Sequence, residues 1–158
     1  MNKSGATQDY HLRLACPADY AEVAAVYTAA ALSNLADREF LLAHPEALVL
    51  SHSEWLSKDS LLICAQQKLL GFASWSRLDT ASAELSAIFV LPSHHRLGLA
   101  TRLLNQLCND LRQQQMTQLY VTANHHAQAF YLAYGFIFLH PVATDFAMAE
   151  RYSLSLRD

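Results

Sequence analysis

A phosphate-sized anion could dock on His95-Arg96-Leu97-Gly98-Leu99-Ala100-Thr101, where a glycine and an alanine leave the backbone bare at the start of an apolar-periodic run. The first turn of a helix carries unpaired N–H groups and the positive end of the helix dipole, so it holds phosphate with little help from side chains. That chemistry points to a nucleotide-like cofactor; the same residues could equally form a tight strand-to-helix turn that binds nothing. No Gly-Lys-Ser/Thr follows, which excludes a Walker loop, and the absence of Gly-x-Gly-x-x-Gly excludes a dinucleotide fingerprint. Eight histidines raise the question of a metal, above all His94-His95 and His125-His126. Adjacent residues project differently, and neither His-x-x-x-His nor a Cys-His spacing occurs, so no metal site is expected. A serine hydrolase is disfavoured too, for want of a Gly-x-Ser-x-Gly elbow.

The elements around this loop follow from periodicity. Leu85 to Leu91 is a short apolar run stopped by Pro92, as suits a buried strand. Beyond it Ala100, Leu103, Leu104, Leu107, Cys108 and Leu111 fall on one helical face, with Arg102, Asn105, Gln106, Asn109 and Asp110 on the other. Upstream, Tyr10 to Ala15 predicts a strand and Pro17 opens a helix ending near Ser33-Asn34; Asp37 is expected to cap a short second helix through Phe40 to Ala43. Residues 44–58 carry little pattern and are expected to form a loop or irregular helical turn. Leu61 to Ala65 and Leu69 to Trp75, joined by Gln66-Gln67-Lys68, predict an antiparallel hairpin. Leu119 to Thr122 is a further strand, Ala127, Phe130, Tyr131 and Tyr134 mark a helix closed by Gly135, and Phe136 to Leu139 and Phe146 to Leu156 give two last strands separated by Pro141. The predicted fold is α/β with the order β-α-α-β-β-β-α-β-α-β-β.

A chain of 158 residues, 53% apolar, suffices for one domain with a substantial core, placed at 10–158 behind a flexible tail at 1–9. The formal charge of −3 with scattered Lys and Arg excludes a basic face for nucleic acid. No apolar run approaches a membrane span and the first residues lack a leader's apolar core, so no membrane association and a cytoplasmic location are expected. Cys16, Cys64 and Cys108 have no paired spacing and fit reduced thiols, with Cys108 on an apolar helix face as a packing residue.

The stretch from His95 resembles the cofactor loop of the GNAT superfamily of N-acetyltransferases, Gln/Arg-x-x-Gly-x-Gly/Ala between a strand and a helix. Gly98 and Ala100 fit its last two fixed positions, while histidine stands at the first, with Arg96 one place later. Asn124-His125-His126-Ala127-Gln128-Ala129-Phe130-Tyr131-Leu132-Ala133-Tyr134-Gly135-Phe136 is similar to the family's second signature, Asn, Ala, Phe-Tyr and Gly-Phe. The resemblance implies a mixed central sheet splayed between its fourth and fifth strands, with acetyl-CoA entering the split as co-substrate. It implies that the backbone N–H groups from Arg96 through Leu97, Gly98, Leu99 and Ala100 to Thr101 hold the pyrophosphate. Backbone groups of Ile88, Phe89 and Val90 would meet the pantetheine amides and the oxyanion, and Asn124 would bond the cofactor arm.

By the same resemblance Tyr131, four residues before Gly135, stands where the family often places its general acid, although a tyrosine there could also be plain core. Glu84 stands where some members carry a base; it is expected to share a strand face with Ser86 and Ile88 and to line the groove, or else simply to be solvated. The implied activity is direct transfer of an acetyl group from acetyl-CoA to a primary amine of a small molecule or peptide, by a protein compatible with a homodimer. A non-catalytic acyl-CoA binding or sensing module is the alternative. The acceptor pocket would draw on Tyr27, Asn34, Phe40, the Trp55 loop and the last two strands.

Overall fold

The computed structural model describes residues 9–144 and 147–157. The expected tail therefore lies, apart from Asp9, outside the described residues, as does the predicted start of the last strand at Phe146. Seven strands form one sheet: β1 (His11–Leu14), β2 (Asp59–Ala65), β3 (Lys68–Arg77), β4 (Ser82–Val90), β5 (Gln118–Ala123), β6 (Ile137–Ala143) and β7 (Met148–Ser155). Their spatial order is β1-β2-β3-β4-β5-β7-β6, antiparallel throughout except for the parallel β4–β5 pair. The β2–β3 hairpin closes through Gln66 and Gln67, whose φ values of 50° and 67° are those of a type I′ turn, the turn whose twist matches the flanking strands.

Helices cover both faces. The amphipathic α4 (Leu99–Gln113) buries Leu99, Leu103, Leu104, Leu107, Cys108 and Leu111. These pack on Leu61, Ile63, Trp75, Leu85 and Leu119 of the sheet, and each leucine so buried contributes about 1.5–3 kcal/mol. On the opposite face α1 (Tyr20–Leu32) buries only Val23 and Val26, against Leu62, Cys64 and Phe72. Its alanines allow close approach to the sheet. Cys64 and Cys108 are both core thiols, and burial pushes both up from the ordinary thiol range.

Two local predictions need correction, those on Asp37 and Pro141, while the irregular helical turn expected over 44–58 is present. The short α2 (Leu35–Ala43) starts before Asp37, whose N–H already donates to the Asn34 carbonyl at 3.2 Å, so Asp37 belongs to its first turn. The patternless 44–58 region contains a 3₁₀ turn, Pro45–Leu48, and a one-turn α3 (His52–Leu56) capped by Ser51 Oγ. Its anchor is Trp55, buried with Val23 and Phe72, and a single turn is too short to show a period. Pro141 lies inside β6 instead of between the last strands, opposite Glu150 of β7. A proline is tolerated there because β6 is the edge of the sheet and one of its faces needs no ladder donor.

Arg13 on β1 clamps the start of α1 by a two-pronged pair with Asp19, at 2.9 and 2.7 Å, and Asp19 also accepts from the Cys16 N–H at 2.8 Å. The Arg13 hydrogen bonds hold the Asp19 carboxyl well below the usual carboxylate range. Its folded-state pKa lies below the unfolded value of about 3.9, so the stabilisation is whole above about pH 4 and drains as pH falls through the folded value. Asp19→Asn should cost about 1–2 kcal/mol in urea unfolding at pH 7, Arg13 being half exposed. The deficit should shrink on titration below pH 4; a pH-independent deficit would mean the ion pair contributes nothing beyond its shape.

Candidate functional site

The parallel pairing of β4 with β5 runs from Ser82–Gln118 to Leu85–Val121 and stops, although β4 continues to Val90. The departure coincides with a bulge. On the β3 side Trp75 faces Leu85 and Ser74 faces Ala87, so Ser86 is the extra residue and bends β4 there. Residues 86–90 keep β3 on one side and present their other edge to a cleft of about 960 Å³. Its walls include Ile88, Phe89 and Val90 of β4, residues 98–101 at the head of α4, and Ala127, Phe130 and Tyr131 around α5 (Gln128–Tyr134).

At the end of this cleft the chain turns through Arg96 (φ 65°) and Gly98 (φ 76°) into α4, with Gly98 as the residue before the helix proper. A Cβ built on Gly98 meets no protein atom within 4 Å, so space is open beside that backbone. The N–H groups of Leu99, Ala100 and Thr101 lack partners within their own helix by position, which is the anion-binding chemistry expected of this loop. His95, at the position where the family pattern has Gln or Arg, lines the cleft but commits one ring nitrogen to the end of β4. Its Nε2 lies 2.8 Å from the Val90 carbonyl, so it donates there and ties the loop back to the end of β4. One lone pair of a backbone group expected to face the cofactor arm is thereby occupied.

Tyr131 lines the cleft from α5 and is 4% exposed. Its ring packs edge-on to Phe130 and Phe136, with centroids at 5.2 and 5.1 Å, and stacks on Tyr152 at 5.9 Å. Tyr131 is therefore core by packing and also borders the cleft. Burial pushes its phenol far up from the ordinary value, with Tyr152 a smaller contribution in the same sense. Asn124 caps the turn before α5, its Oδ1 accepting from the Ala127 N–H at 3.2 Å.

Glu84 is not brought to the cleft. The bulge at Ser86 shifts the strand's alternation, so Ile88 packs with the α4 side together with Leu85, while Ala87 and Phe89 pack with the α1 side. Glu84 thus does not share a face with Ile88 as the simple alternation implied. Its Oε1 accepts from Arg151 Nη1 at 2.6 Å, and this bond raises the Arg151 pKa; Arg151 also donates to Thr122 Oγ1 at 2.9 Å.

A second cleft, of about 710 Å³, adjoins the first and shares Ala30 and Phe89 with it. Tyr27, Asn34 and Phe40, read from the sequence as acceptor-side residues, all line it. Trp55 does not; it is buried under α1. Asn124, expected on the cofactor arm, also lines this second cleft, and Asp37, Glu46 and Val49 carried no signal for a site, since α2 and the Pro45 turn come together only in the fold. The histidine pair at 125–126 splits: His125 Nδ1 meets Glu150 Oε1 at 3.2 Å, and His126 Nε2 reaches Asp37 Oδ1 at 3.7 Å.

The family model for the acetyltransferase (GNAT) family matches residues 29–136. The chain belongs to that family, and is by that membership an acyl-transferring enzyme. Among solved structures it is similar to PaiA N-acetyltransferase from Thermoplasma acidophilum in complex with coenzyme A, at 15% identity and TM-score 0.75 over 93% of this chain and 99% of that one. It is also similar to the ribosomal-protein-S18-alanine N-acetyltransferase from Escherichia coli, at 18% identity and TM-score 0.73 over 94% of each chain. A third is yncA from Salmonella typhimurium with its cofactor acetyl-CoA, at 20% identity and TM-score 0.68 over 95% of each chain. These likenesses establish the fold, splayed sheet included. A comparison with curated protein sequences finds no match.

The buried phenol gives a direct check on the site. Tyr131 should stay protonated in the native protein well past pH 10, and Tyr152, pushed up to about 12 by burial and its bond to Glu150, should do likewise. Tyr131→Phe should therefore remove no phenolate absorbance from the native protein below about pH 11, but one tyrosine's worth with a midpoint near pH 10 from the guanidinium-unfolded chain. A native signal lost near pH 10 would mean that Tyr131 is solvated.

Proposed function

We propose that the protein transfers the acetyl group of acetyl-CoA directly to a primary amine of a small molecule or peptide, within one domain spanning residues 10–158. The observation that carries this reading is the cleft between β4 and β5, with the bare Gly98 backbone at one end and the Tyr131 phenol in its wall. Acetyl-CoA supplies an activated acyl group as a thioester. The space beside Gly98 and the first-turn N–H groups of Leu99, Ala100 and Thr101 suit the pyrophosphate. Open backbone groups of Ile88 and Phe89 suit the amide-bearing arm. Tyr131, held protonated by burial, acts first as a hydrogen-bond donor to the sulfur on which charge develops, and then as the acid for the leaving thiolate. Glu84, bonded to Arg151 and lining neither cleft, acts on the amine only through intervening water. Two buried, unpaired thiols support a reducing, cytoplasmic setting.

Gly98→Val places a branched side chain in the open space beside the loop, at a φ of 76° that it resists. Acetyl-CoA affinity by calorimetry should fall tenfold or more while the far-ultraviolet spectrum is kept; undiminished binding would remove the phosphate site from this loop. Tyr131→Phe should lower turnover by about 10²- to 10⁴-fold with little change in binding. Because a thiol with a pKa on the order of 8.5 leaves unaided at high pH, this defect should shrink as pH rises. Free coenzyme A released with some amine separates this reading from a module that only binds.

A further inference from the structure

We infer that the second cleft receives the acceptor, and that the acceptor is a small primary amine with a ring-sized apolar body and no carboxylate. The inference rests on acetyl-CoA occupying the first cleft. At about 710 Å³ the second cleft has the size of a small-molecule site, and it meets the first at Ala30 and Phe89. Its apolar surface comes from Tyr27, Phe40, Val49 and Phe89. Tyr27 is held there as a ring: its hydroxyl donates to the Ala47 carbonyl at 2.9 Å, and it stands edge-on to Phe89 with centroids 5.1 Å apart. A flat apolar body therefore finds aromatic contact. A peptide would bring extra carbonyls, and the Tyr27 O–H, already donated to the Ala47 carbonyl, cannot answer them.

The charges in the wall have one sign. Asp37 and Glu46 line the cleft, and no lysine or arginine does among the described residues. An ammonium is attracted and a carboxylate meets two like charges with no partner. Asp37 also marks where the ammonium sits, since it lies 3.7 Å from Nε2 of His126, a residue of the first cleft. The amine nitrogen is then held at the junction of the clefts, next to the thioester. One of its protons passes through the half-exposed His126 ring to water. The freed lone pair forms the bond to the thioester carbon, the C–S bond breaks, the nitrogen's second excess proton passes to water, and the Tyr131 phenol protonates the departing sulfur and is reprotonated from water. The products are the acetamide and free coenzyme A.

The test uses the purified wild-type chain with acetyl-CoA and measures thiol release. Matched acceptors are 2-phenylethylamine, phenylalanine, which adds a carboxylate, butane-1,4-diamine, which replaces the ring by a second ammonium, and the C-terminally amidated peptide Phe-Gly-Gly-NH2, which adds amide groups without a carboxylate. The expected result is a kcat/KM for 2-phenylethylamine at least tenfold above each of the others. An equal or better rate with phenylalanine, the diamine or the peptide overturns the inference. Asp37→Asn should raise the KM for 2-phenylethylamine tenfold or more, with the acetyl-CoA Kd within twofold by calorimetry and partial recovery in Asp37→Glu; an unchanged KM overturns the role of Asp37. Should this variant fail to fold, the wild-type series alone decides. Absence of acetyl-CoA binding by the wild type overturns both readings, whereas binding without the aryl-amine preference overturns this one only.

Discussion

Backbone hydrogen bonding between β4 and β5 ends at Leu85 and Val121, and the site exists because it ends there. A sheet that stayed paired would satisfy its own N–H and C=O groups and leave no room between the strands. Parting them exposes polar backbone that must find partners, at about 1–3 kcal/mol for each group left buried and unmet. Some of that demand is met within the protein, since the Val90 carbonyl takes the His95 ring. The rest faces a cleft where an amide-bearing ligand can meet it. The bulge at Ser86 is the local device: one extra residue bends β4 away from β5 while β3 keeps hold of its other edge.

A gap in the middle of a sheet weakens it unless something else ties the two halves. Here α4 lies across one face, its buried leucines sharing one core cluster with Leu61 and Trp75 on one half and Leu119 on the other, and its Arg112 Nε donates to the Leu156 carbonyl at 3.0 Å. The cluster of Tyr131, Phe136, Phe138 and Tyr152 packs α5 onto β6 and β7. Tyr131 is thereby fixed twice over, by aromatic contacts and by the helix that Gly135 ends at φ 122°. A side chain held in this way keeps its hydroxyl in one place, which proton transfer to a defined atom requires. The same packing dehydrates the phenol and keeps its proton on.

What the sequence made legible were features with a strong local signal. The period of α4, the glycines 98 and 135, and the stop at Pro92 needed no tertiary knowledge, and they put the turn at the head of α4 and Tyr131 on a helix ended by Gly135. The misplacements share a physical cause, a local rule overridden by a partner distant in sequence. Glu84 was assigned to the wrong company because counting in twos assumes an unbroken ladder, and the bulge at Ser86 is set by pairing with β3. Pro141 read as a break because the sequence does not say that its strand is an edge. Trp55 looked like a loop aromatic available to a ligand, but its ring is what holds a one-turn helix to the core. The second cleft was half legible for the same reason: Tyr27, Asn34 and Phe40 were nameable as members of helices near the site, whereas Asp37 and Glu46 gain meaning only once α2 and the Pro45 turn close around them.

The proposed use of the two clefts would let a chain with formal charge −3 serve a polyanion and a cation side by side. Recognition of the proposed phosphates rests on backbone N–H groups and the α4 dipole, which are fixed by the fold and need no cluster of lysines. Had that task fallen to a basic patch, its field would reach about a Debye length, some 8 Å, into the neighbouring cleft and repel an ammonium. A helix terminus acts over roughly its first turn and leaves the adjoining wall free to be acidic. Asp37 and Glu46 can then occupy that wall, and the contact between Asp37 and His126 falls on the line where one environment gives way to the other. Separating the charges by range in this way would let two adjoining clefts hold both proposed partners of the acyl transfer without either destabilising the other's site.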